Sequence, residues 1–140
     1  MELLMYHLGQ VNWGAVFIAV LPSFFIGSIW YNPKVYGNYW MKQVGLKPKD
    51  VAKGDMTQAL AITTASSFLL VAALATLMTA MQIDGFLQGA TLGALLSLFV
   101  SGTTRAIHLA FEQKSSGLWL VNTAHDVLFL ASAGAILGLL

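Results

Sequence analysis

Asn122, His125 and Asp126 fall at i, i+3 and i+4, with Phe129 and Ser132 following at i+7 and i+10. On a helix this spacing puts an amide, an imidazole and a carboxylate on one face. Ser97, Ser101, Thr104, Arg105 and His108 form a second series, at i, i+4, i+7, i+8 and i+11, that becomes basic at its far end. Inside a membrane a central aspartate costs about 2.5–3.5 kcal/mol on insertion scales, so Asp126 is expected to turn away from lipid. Two roles fit it. It is either a proton-linked or substrate-binding carboxylate with His125 as a titratable neighbour, or half of an ion pair with Arg105 that fixes helix register. His108, beside Arg105, is either part of the same polar site or a capping histidine near the interface.

Other chemistries find less support in these residues. The chain has no cysteine, which removes thiolate nucleophiles, disulfides and thiolate metal sites. If the last two apolar stretches fold as an antiparallel hairpin about Lys114, His125 lies about five residues deeper than the position opposite His108, roughly 7 Å by helical rise, too far apart in level for two ligands of one haem. No metal site and no cofactor is expected. No Walker loop, GxGxxG, HExxH or GxSxG sequence occurs, so an enzyme is not expected.

The elements that position these residues follow from composition. With 57% hydrophobic and 9% charged residues, and a mean hydropathy of +0.72, the chain reads as an all-α integral membrane protein. A crossing needs about 20 apolar residues. Four stretches qualify, at about residues 11–31, 57–82, 85–108 and 118–140, within a single membrane domain covering 1–140. Asn32-Pro33 is an N-cap followed by a residue suited to a first turn, so a short interfacial helix is expected over about 33–44. A solvated, charged loop should follow it.

All seven basic residues belong to one side of this four-span arrangement: Lys34, Lys42, Lys47, Lys49 and Lys53 at the first junction, Arg105 and Lys114 about the third. By the positive-inside bias that side faces the cytoplasm, with both termini outside and the protein multi-pass in the inner membrane. The segment before the first span carries Glu2 and no basic residue, so a cleavable signal peptide is not expected. The lipid bilayer is the expected partner, and nucleic acid is not.

Small residues recur every four positions, as Ala15, Ala19, Ser23 and Gly27 in the first span and as Gly85, Gly89, Gly93, Ser97 and Ser101 in the third. Such stripes let helix backbones approach closely, either inside the bundle or between protomers. Trp30, Tyr31, Tyr36 and Trp40, with Lys34 and Lys42, are expected at the headgroup level, as an anchor or as a lipid-headgroup site. Polar residues inside the spans concentrate towards the lysine-rich end, which favours a pocket over a continuous pore.

The run Gly27-Ser28-Ile29-Trp30-Tyr31-Asn32-Pro33, followed by Tyr36-Gly37 and Trp40-Met41, resembles a small bacterial membrane family catalogued as domain of unknown function 1761. Val11-Asn12-Trp13, Phe111-Glu112, Leu120, His125-Asp126 and residues 134–138 extend the likeness over nearly the whole chain. The resemblance implies four transmembrane helices and no established activity. The residues themselves favour a homo-oligomeric transport-like or ligand-binding bundle with a cytoplasm-facing polar site around Arg105 and Asp126. The alternative is an accessory subunit of a larger membrane complex, with the polar cluster purely structural.

Overall fold

The computed structural model describes residues 2–140, which form helices and connecting turns with no strand among them. Four helical stretches are long and apolar enough to cross a membrane: Trp13–Trp30, Met56–Met81, Phe86–Phe111 and Ser116–Leu137. In chain order the α-helices are α1 (Glu2–Gly9), α2 (Trp13–Trp30), α3 (Asn38–Val44), α4 (Pro48–Val51), α5 (Met56–Met81), α6 (Phe86–Leu96), α7 (Thr103–Phe111) and α8 (Ser116–Leu137). The protein is a multi-pass, all-α membrane bundle.

Helix boundaries follow local chemistry. Asn12, Asp55 and Ser115 each accept a bond from a first-turn amide, of Ala15, Gln58 and Leu118 respectively, which satisfies an otherwise orphan donor. At the other end of α5, Gln82 takes the left-handed conformation (φ 55°) and starts a tight turn into the third span. Pro22 lies within α2, which continues through it.

Several elements depart from the sequence expectation. A short helix, α1, precedes the first span and packs on α5. The linker after α3 is not entirely loop, because Pro48 starts the one-turn α4, where Asp50 accepts from the Lys47 amide. The expected interfacial helix begins with a π-helical turn, Pro33–Gly37, before α3. The third span runs to Phe111 and is interrupted by a π-helical segment, Ser97–Gly102, between α6 and α7.

α8 is the hub, packing on α6 and on α2, while α5 packs mainly on α2. The glycine stripe of the third span is used here. A Cβ on Gly89 would collide with the Gly134 carbonyl and one on Gly93 with the Leu130 carbonyl. A Cβ on Gly138 would meet the Gly85 carbonyl. The α6 and α8 backbones therefore touch, which small residues permit and any larger side chain prevents. Ala15, Ala19 and Ser23 of α2 are likewise buried within the bundle. The apolar core of Val16, Val20, Val71, Leu74, Met78 and Phe129 seals the half remote from the lysine-rich linker. By contrast, every residue from Met56 to Ser66, the first half of α5, is exposed.

Candidate functional site

The ion pair is present. Arg105 Nη2 donates to Asp126 Oδ2 at 2.6 Å, joining α7 to α8. The second carboxylate oxygen accepts from His125 Nδ1 at 2.9 Å, so each oxygen of Asp126 has a partner. Arg105 and Asp126 are half-buried, and His125 more deeply. His125 Nε2 is buried without a hydrogen-bond partner, facing Gly27, the last small residue of the α2 stripe. No hydroxyl reaches that nitrogen, so the Asp126–His125 contact does not continue to a serine in the manner of a hydrolase triad.

A cavity of about 320 Å³ opens onto this group, with walls from all four spans. Ser23 comes from α2 and Thr63, Ser66 and Ser67 from α5; Ser97, Ser101 and Arg105 come from the third span and His125 and Asp126 from α8. Ile62, Leu70, Phe129 and Leu130 form its apolar part. Ser97 is 1% exposed and its hydroxyl has no partner. Ser23, Ser28 and Ser132 satisfy theirs on a backbone carbonyl three or four residues back. The π-helical segment accounts for Ser97's position. It starts at Ser97 and widens the helix, and such segments recur at functional sites. Trp119 Nε1 donates to the Gly102 carbonyl at the end of this segment, at 2.8 Å, and so holds it against α8.

His108 and Asn122 lie on the other side of Arg105. With Thr104 and Glu112 they line a second cavity, of about 480 Å³, nearer the lysine-rich end, and Ser101 and Arg105 border both cavities. Among the described residues no three His, Asp or Glu side chains converge as a metal site would need.

The aromatic residues at the end of the first span are held by contacts within the bundle. Trp30 Nε1 donates to the Val121 carbonyl at 3.0 Å, and the Tyr31 hydroxyl donates to Asn122 Oδ1 at 3.1 Å. Their rings lie 6.4 and 5.1 Å from the His125 ring. Tyr36 packs on Trp30 at 4.5 Å and Trp40 meets Tyr31 edge-on at 5.6 Å. Asn32 makes this fold-back possible by accepting from the Lys34 amide, and Gly37 by lying where a Cβ would strike the Tyr31 carbonyl. The Trp-Tyr-Asn-Pro-x-x-Tyr-Gly-x-x-Trp run is thus a clamp of α2 on α8 beside His125. Lys34 and Lys42 remain exposed, away from the cavity.

Thr63, Ser66 and Ser67 were legible only as polar residues towards the lysine-rich end of a span, Ser23 as a packing position, and Ser97 and Ser101 both as packing positions and as the start of the series that leads to Arg105. Their spacing held no sign that helix packing leaves a gap beside them.

Residues 14–138 match the family described as Protein of unknown function (DUF1761). No curated protein and no solved structure matches the chain. The matched region contains the clamp, the ion pair and every residue of the cavity, and the chain belongs to the DUF1761 family.

Proposed function

We propose that the protein is a ligand-binding, transport-like bundle whose site is the serine-lined cavity at Arg105 and Asp126. The unpartnered hydroxyl of Ser97 carries this reading. A buried polar group left without a partner costs about 1–3 kcal/mol, and a bound molecule that supplies the missing bond removes that penalty. Both oxygens of Asp126 are already engaged, which suits binding better than acid–base chemistry. The bias of Lys and Arg orients the cavity's inner end to the cytoplasm, with both termini outside and the membrane being the inner one.

The glycine stripe is already used inside the bundle, so a second protomer would meet another exposed face of the spans, away from the cavity mouth. The same surface would serve a larger complex if the protein were an accessory subunit. Native mass spectrometry of protein extracted in mild detergent tests both points. A homo-oligomer retaining a small molecule that Ser101→Trp expels is the expected result. An empty cavity in wild type and variant, with a fixed partner at defined stoichiometry, would overturn it in favour of the accessory role.

A further inference from the structure

The cavity opens sideways, towards lipid. α5 and the third span are joined by a tight turn, and near it Met78 reaches Gly89; beyond that they barely touch. The gap between them is the cavity. Ile62, Thr63, Ser66 and Leu70 line it and are at the same time exposed on the outer surface of the bundle, so they form the rim of a lateral mouth. The rim is mixed, with Ile62 and Leu70 apolar and Thr63 and Ser66 polar. Behind the rim, at the end towards the third span, stand Arg105, Ser97 and Ser101.

The polar groups at that end have a sign. Guanidinium carries five N–H donors, and in this structure only Nη2 is bonded, to Asp126. Each oxygen of Asp126 has a partner, Arg105 has donors to spare and Ser97 adds a hydroxyl with no partner, while the unpartnered His125 Nε2 faces Gly27. The unused guanidinium donors of Arg105, with the Ser97 hydroxyl, match an oxyanion held by charge-assisted hydrogen bonds. The volume of about 320 Å³ corresponds, at roughly 30 Å³ per water, to on the order of ten water-sized groups. That accommodates a small head and the first carbons of one chain.

We infer that the cavity takes a single-chain anionic amphiphile from the bilayer, its carboxylate or phosphate head on Arg105 and Ser97 and its chain leaving between Ile62 and Leu70. This rests on the ligand-binding reading above and specifies its ligand class. Phe129 and Leu130 supply the apolar wall for the first carbons of the chain.

The test uses the full chain in phosphatidylcholine nanodiscs with a fatty acid carrying a mid-chain diazirine, the cross-linked peptides being mapped by mass spectrometry. Labels should concentrate in residues 62–70 and at 129–130. Oleate should compete roughly tenfold better than methyl oleate, the effect of one charge-assisted contact. Arg105→Gln should abolish that preference. Ser66→Phe, at an exposed position of the mouth where bulk does not disturb the core, should remove the labels even if the Arg105 variant fails to fold. Dodecyl phosphate outcompeting oleate would assign a phosphate head and the reverse a carboxylate, either supporting the inference. Labels spread evenly over lipid-facing positions such as Phe17 and Phe25, or equal competition by acid and ester, would overturn it. Protection of Ser101→Cys from a thiol reagent by propionate or inorganic phosphate, without acyl-chain labelling, would overturn the amphiphile while sparing the ligand-binding reading. Neither protection nor labelling would overturn both.

Discussion

Arg105 and Asp126 meet at 2.6 Å across the third and fourth spans, through one guanidinium nitrogen and one carboxylate oxygen. The contact is end-on, so it leaves most of the arginine's donors for other partners while neutralising the aspartate.

Removing either member should destabilise the bundle. A fully buried pair broken on one side costs about 3–5 kcal/mol, and this half-buried pair should lose less than that. A double-mutant cycle of Arg105→Gln and Asp126→Asn, read by thermal unfolding in detergent, should show positive coupling, the double variant being more stable than the two single losses sum to. Strict additivity would mean that the pair contributes nothing.

The α6–α8 contact makes a sharper demand. Gly134→Val should destabilise by about 1–3 kcal/mol or more, because the new side chain meets the Gly89 carbonyl and backbone cannot give way as a side chain does. Gly9→Ala, where nothing lies within 4 Å, is the matched control and should melt close to wild type.

For the aromatic clamp, Tyr31→Phe removes one hydrogen bond to Asn122 and should cost about 0.5–1.5 kcal/mol. Gly37→Ala should cost more, since its methyl group would strike the Tyr31 carbonyl that the π-helical turn folds over. The reverse order in a melting series would contradict the clamp.

Orientation is testable because the chain contains no cysteine. Lys47→Cys in intact cells should resist a membrane-impermeant maleimide and react after lysis, whereas Asp84→Cys should react in both. The opposite pattern would invert the topology.

The four spans were legible because each is a long apolar run, and the Arg105–Asp126 contact because a hairpin about Lys114 brings the two within a side chain's reach. Other features were not legible, for physical reasons. The π-helical segment at Ser97–Gly102 leaves no mark in a periodicity that scores only turns of 3.6 residues. Ser97 looks like a packing residue because it is as small as the glycines before it. Trp30 and Tyr31 read as an aromatic pair at the end of a span, and their approach to His125 depends on packing between distant segments that the local sequence does not show. The cavity arises from helices that diverge, which no single segment encodes.

The central claim, a polar cavity within the bundle, is tested most directly by thiol reactivity at two neighbouring positions in this cysteine-free chain. Ser101 lines both cavities, while Phe99 is 63% exposed on the outer surface facing lipid. A maleimide reacts in water and hardly at all in hydrocarbon, so Ser101→Cys should be labelled by a water-soluble reagent and Phe99→Cys should not. An inert Ser101→Cys beside a reactive Phe99→Cys would contradict the account.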